Sequence, residues 1–233
     1  MAFVRIYAAL LAAFLAAPLT CAAAPYTVRL GMERIALDAS TGFTDTTDLA
    51  SPRLQDLAQA LTSPSNRILL FALTDGDLQR FTQGDQLDKK RRYMMAATPK
   101  ALERERVSPE VFKTLVADAQ RDMGKPEEIK DLKDLPKFLE TRPIGMATLL
   151  TDVKRDGSSV TLMQATRLPP LPGKTFIDRD TPQYWVFTTT FILLRGKALI
   201  LTVYTLFNDP TDVDWLKVTS QRWADELQRL NAR

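Results

Sequence analysis

The stretch that decides the fold is Tyr184–Phe207, YWVFTTTFILLRGKALILTVYTLF. Two runs rich in β-branched and aromatic residues, Tyr184–Leu194 and Ala198–Phe207, flank Gly196-Lys197, so the spacing predicts an antiparallel strand pair. Trp185, Phe187, Phe191 and Leu193 alternate along the first run, and Leu199, Leu201, Val203 and Phe207 along the second. A period of two places each set on one side of its strand. These sets are therefore expected to form the packed face, with Thr188, Thr190, Thr202 and Tyr204 on a more polar one.

Working outward toward the N-terminus, Ile144–Val153 and Ser158–Arg167 flank Asp156-Gly157, the dipeptide that most strongly signals a hairpin. The link Pro169-Pro170-Leu171-Pro172-Gly173, read as a rigid connection, joins this pair to the next, which makes a four-stranded meander. Toward the C-terminus, Thr211 to Asn231 reads as a helix with Val213, Leu216, Trp223, Leu227 and Leu230 on one side. Such a face needs a sheet to cover.

The N-terminal half is more broken. Tyr26–Leu30 and Arg34–Asp38 read as short strands around Gly31. Ser51-Pro52 and Ser108-Pro109 each pair a capping serine with proline at the first helical position. The first opens a helix burying Leu54, Leu57, Ala58 and Leu61. The second opens one burying Phe112, Leu115, Val116, Ala119 and Met123. Ile68–Leu73 is a continuous apolar run, read as a buried strand, and Thr74 with Asp77 forms a weak capping box for a short helical turn. Charged Asp88–Arg92 leads into a strand at Tyr93–Ala97, and Gly124–Pro143 reads as a surface connection with a helical turn or two. Runs of strands followed by helices predict an α+β fold: an antiparallel sheet ending in a four-stranded meander and covered by helices.

The 233 residues are 45% hydrophobic, 25% charged and 8% aromatic, the balance of a globular domain. With 31 basic and 28 acidic side chains the net charge is +3, which lacks the concentrated basic field of nucleic-acid binding. The chain has no histidine and one cysteine, Cys21. That inventory excludes Ser-His-Asp and Cys-His catalysis, His-liganded zinc and CxxC redox chemistry.

Arg5, the apolar Ile6–Leu19 and the small residues Thr20-Cys21-Ala22-Ala23-Ala24 have the layout of a secretory signal peptide, cleaved after Ala23 or Ala22. Lipidation of Cys21 is disfavoured, since Thr20 precedes it and Pro18 stands three before. Residues 1–23 are thus expected to direct export to the periplasm and residues 24–233 to form a single domain, with no membrane span after signal removal.

The order of elements resembles the PsbP-like (Mog1/PsbP/DcrB) α+β sandwich. Ile35-Ala36-Leu37-Asp38 leading to Gly42-Phe43 is similar to the opening strand and turn of those domains. The hairpin strands ending at Leu194 and Phe207, followed by the helix with Trp215 and Trp223, are similar to their close. The resemblance implies a small accessory or assembly protein without catalytic activity.

Lys89-Lys90-Arg91-Arg92 is the candidate contact for an anionic partner, against the alternative of a solvated start to a strand. Asp75-Gly76-Asp77 and Asp178-Arg179-Asp180 bring carboxylates together in loop-like settings, without calcium-loop spacing. No catalytic, cofactor-binding or metal-ligating residue is assigned, and no cofactor is expected. The sequence thus predicts a periplasmic accessory or binding protein whose partner is a protein or an anionic envelope component, not nucleic acid. The alternative is a hydrolase of cell-wall polymer or polysaccharide that uses carboxylates alone.

Overall fold

A computed structural model describes residues 25–84, 91–168 and 182–232. The expected signal segment with Cys21, Lys89 and Lys90, the Pro169–Gly173 link and Asp178–Asp180 lie outside the described residues. Strands β1 (Tyr26–Leu30) and β2 (Glu33–Leu37) pair antiparallel as a separate hairpin. The other strands are β3 (Phe43–Asp45), β4 (Asn66–Thr74), β5 (Tyr93–Pro99), β6 (Thr148–Arg155), β7 (Ser159–Arg167), β8 (Tyr184–Leu194) and β9 (Lys197–Leu206). They form one seven-stranded sheet in the order β3-β4-β5-β9-β8-β7-β6, with every neighbouring pair antiparallel. The predicted meander β6–β9 is present, and the fold is α+β.

Helix α1 (Pro52–Ala60) and helix α3 (Pro109–Met123) start where the Ser-Pro signatures place them. Ser51 Oγ accepts from Leu54 N at 3.4 Å and Ser108 Oγ from Val111 N at 3.3 Å. Between them α2 (Asp75–Gln83) is capped by Thr74, whose hydroxyl accepts from Asp77 N. After α4 (Leu135–Glu140), the long α5 (Thr211–Leu230) closes the chain.

The sheet is covered on both faces. On one, α5, α4 and the β1–β2 hairpin bury Leu70, Met94, Leu199, Leu201, Val203, Val186 and Ile192 against Leu216, Trp223 and Leu227. Asn231, just past α5, completes β2 like a strand partner: its side-chain oxygen accepts from Ala36 N and its amide nitrogen donates to Ala36 O. On the other face α1 and α2 cover Phe71, Leu73, Tyr93, Met95 and Tyr204, while α3 covers Val160, Leu162 and Ala198.

Three expectations are corrected. The face assigned to β8 is inverted. Register pairs Thr188 with Val203 and Thr190 with Leu201, so the threonines lie toward α5, whereas Phe187 pairs with Tyr204 and Phe191 with Ile200 on the opposite face. Both parities of β8 are apolar enough to pack. What admits the threonines to the core is that their hydroxyls find partners there, Thr161 with Thr190 at 2.9 Å and Thr188 with Ser220. Second, the segment Gly124–Pro143 is not only a surface connection, because Leu135 and Leu139 of α4 are fully buried beneath the meander. Third, Leu115 of α3 is exposed, and Phe112 and Val116 alone of the expected set are fully inside.

Candidate functional site

The basic run leads into β5 at the end of the sheet where β4 and β9 finish and β8 begins. Arg91 holds a left-handed backbone, φ 37°, where a side chain is uncommon. Arg92 turns inward instead of standing in solvent as a charged strand start would. Its guanidinium carbon lies 3.8 Å from the centre of the Trp215 ring, and Trp215 in turn stacks on Phe43 of β3. Its Nη2 donates to Asp212 Oδ1 at 3.4 Å. Asp212 is wholly buried in the first turn of α5, where the positive end of the helix favours a carboxylate. Its other oxygen accepts from Asn208 N at 2.9 Å and Asp209 N at 3.3 Å. The arrangement joins β5, β3, the β9–α5 turn and α5 in one charge-paired cluster. Of the predicted contact residues, Arg92 therefore belongs to the packing, and Arg91 alone of the described ones is left toward the surface.

On the opposite face at the same end runs a row of rings. Phe71 meets Tyr93 at 6.0 Å, Tyr93 meets Trp185 at 5.9 Å, Trp185 meets Tyr204 at 5.2 Å and Tyr204 meets Phe187 at 5.3 Å. Tyr204 donates its hydroxyl to Leu61 O at 2.8 Å. Burial pushes both Tyr93 and Tyr204 up to about 12, so both phenols are neutral at physiological pH and are not nucleophiles there. Beside this row, α1 and β4 enclose a small cleft of about 120 Å³ lined by Thr46, Leu54, Ala58, Ile68 and Phe71. Small-molecule pockets typically span about 300–1,000 Å³, so this cleft does not enclose a cofactor-sized ligand.

The acids that suggested themselves in sequence have other employment. Asp75 and Asp77 stand in the first turn of α2 rather than in a loop; Asp75 Oδ1 accepts from Thr44 Oγ1 at 2.7 Å, and Asp77 is buried beside Arg80. Among the described residues no group of three His, Cys, Asp or Glu is placed to hold a metal ion. Among the described residues Asp38 is the one carboxyl held above its ordinary range, first by burial and then by the charge of Asp45. Asp45 itself accepts from Thr47 N, Thr47 Oγ1 and Phe71 N, which fixes the turn after β3.

Asp212 escaped the sequence reading, which took Trp215 only as a mark of the closing helix. The acids of the first turn, Asp212 and Asp214, are a visible helix-start signal, but nothing in the sequence points to Arg92 across a separation of 120 positions.

No protein-family model matches the chain, and neither does any curated protein. Among solved structures, the chain is similar to the Ran-binding protein Mog1p of Saccharomyces cerevisiae, with 9% identity over 90% of this chain and 94% of that one, at a TM-score of 0.32. A mutant of Mog1 matches with 10% identity over 89% and 94%, also at 0.32. The likeness is weak and is one of fold alone.

Proposed function

We propose that the chain is an exported, periplasmic accessory protein that acts by binding a protein or an anionic envelope component, without chemistry of its own. What supports this reading is the use made of buried charge. Asp212 is engaged by Arg92 and two backbone amides, and buried Lys197 donates its Nζ to the carbonyls of Glu103 at 3.2 Å and Glu105 at 2.5 Å. These groups hold chain segments together, so the buried charges serve the packing of the fold. Lys89, Lys90 and Arg91 remain the proposed contact, with Arg92 as the internal anchor that holds the start of β5 in place.

The carboxylate-hydrolase reading is kept because burial, and after it the charge of Asp45, raises the proton affinity of Asp38, the direction a carboxyl acting as an acid needs. One experiment separates the two. Partner capture from a periplasmic extract is compared for wild type and the Lys89→Glu/Lys90→Glu/Arg91→Glu variant, beside release of soluble fragments from purified cell wall. Loss of capture, with a wild-type interaction that fades with salt, is expected. Unchanged capture rejects the basic run as the contact. Fragment release by wild type that Asp38→Asn abolishes overturns the non-enzymatic reading. Intact mass of the exported protein is expected to give an N-terminus at Ala23 or Ala24 without lipid; retention of Met1 would reject export by a cleaved signal.

A further inference from the structure

At the end of the sheet opposite the Arg92 cluster, where β9 begins rather than ends, three separate turns converge. They are the β1–β2 turn at Gly31-Met32, the loop Glu103–Arg106, and the β8–β9 turn at Arg195-Gly196. Lys197 ties the loop to β9 through its two carbonyl bonds, and Val107 N donates to Gly196 O at 2.8 Å. Gly31, at φ 57°, approaches the same loop so closely that a Cβ there would lie 2.9 Å from Arg104 O. The corner is therefore a fixed platform, not three loose tips.

Five arginines, Arg29, Arg34, Arg104, Arg106 and Arg195, stand exposed on this platform. Three glutamates stand among them, fewer than the arginines: Glu33 is shared between Arg106 Nη1 at 3.3 Å and Arg195 Nε at 3.6 Å, Glu103 pairs with Arg67, and Glu105 is exposed. Two of the placements work against stability. Arg29 and Arg34 are direct cross-strand partners, where like charges repel. Arg195 occupies a left-handed turn position, φ 52°, that favours Gly, Asn or Asp. At the apex Met32 is 86% exposed, the most exposed large apolar side chain among the described residues. An apolar tip ringed by guanidinium groups matches a surface that is negatively charged outside and apolar just beneath, the boundary of an anionic phospholipid bilayer. A polyanion in solution would satisfy the arginines and leave Met32 without a role.

We propose that this corner docks the protein on an anionic phospholipid surface, Met32 entering the acyl boundary while the arginines engage lipid phosphates. The proposal rests on the reading that the chain acts by binding, and it leaves the opposite end of the sheet free to meet a second partner. No helix among the described residues is long and apolar enough to cross a membrane.

The test is co-sedimentation of the exported protein with phosphatidylcholine vesicles and with vesicles of equal phosphatidylcholine and phosphatidylglycerol, at low and high salt. Wild type is expected to bind the mixed vesicles alone and to be released by salt. Each basic residue near an anionic surface contributes roughly fivefold in affinity, so Arg34→Glu/Arg104→Glu is expected to weaken binding about 25-fold or more. Met32→Ser, at a side chain too exposed to affect folding, is expected to weaken it several-fold without altering the urea midpoint. Failure of wild type to sediment with mixed vesicles, while it still captures its partner from envelope extract, overturns the lipid site and leaves the binding reading standing. Vesicle binding that Met32→Ser does not change, but that soluble polyphosphate abolishes, overturns it in favour of an anionic polymer.

Discussion

Thr188 and Ser220 offer a direct measurement of which side of β8 faces α5. Both are buried, and the Ser220 hydroxyl donates to Leu216 O, one turn back, at 2.6 Å. Since that proton is committed, the bond between the two hydroxyls has Thr188 donating to Ser220 Oγ. Removing Ser220 by Ser220→Ala strands the Thr188 donor in an apolar layer, which costs about 1–3 kcal/mol. Thr188→Val keeps the shape and leaves Ser220 bonded to Leu216, so it costs about 1 kcal/mol or less. In the Thr188→Val background, Ser220→Ala strands nothing and is expected to cost under about 0.5 kcal/mol. The coupling between the two positions is thus about 1–2 kcal/mol, well outside the additivity of independent sites. Urea unfolding followed by the fluorescence of Trp185, Trp215 and Trp223 measures it, with m unchanged across the four proteins. Additive costs, with Thr188→Val neutral, would return Thr188 to a polar face and refute the packing of α5 over the threonine stripe.

Alkaline pH tests the buried phenols. Above pH 10 the unfolded chain loses tyrosine protons that Tyr93 and Tyr204 retain until about 12, so stability falls as pH rises through that window. The loss is about 1.4 kcal/mol per pH unit for each tyrosine. Urea midpoints from pH 9 to 12 are expected to decline less steeply in Tyr204→Phe than in wild type, and an unchanged slope would reject the assignment. Asp212→Asn leaves the largely buried Arg92 charge facing a neutral amide, at an expected cost of about 2–4 kcal/mol. Thermal unfolding should show that loss partly recovered by adding Arg92→Met; a loss below about 0.5 kcal/mol would remove the pair from the structural account.

What could be read from the sequence is what short-range chemistry decides. Serine followed by proline announces the starts of α1 and α3 because the hydroxyl satisfies an amide the helix cannot, and the structure places both caps there. Alternation and Asp156-Gly157 announce the meander, because the pleat has period two and the Asp156 carboxylate closes the turn by accepting from Ser158 N and Ser159 N. The side of β8 that faces the helix was not legible. Both of its parities carry large apolar residues, and the threonines become core residues only when Thr161 and Ser220 arrive from other elements to satisfy them. The same limit governs the sites. The run Lys89–Arg92 is a continuous charge signal in sequence, but only the meeting of β5, β3 and α5 turns Arg92 onto Trp215 and Asp212. The arginine corner is spread over three turns between Arg29 and Arg195, each unremarkable alone, and becomes one charged surface only where the sheet's topology brings their ends together. Local signals depend on neighbours in the chain, whereas burial, charge pairing and convergence depend on neighbours in space.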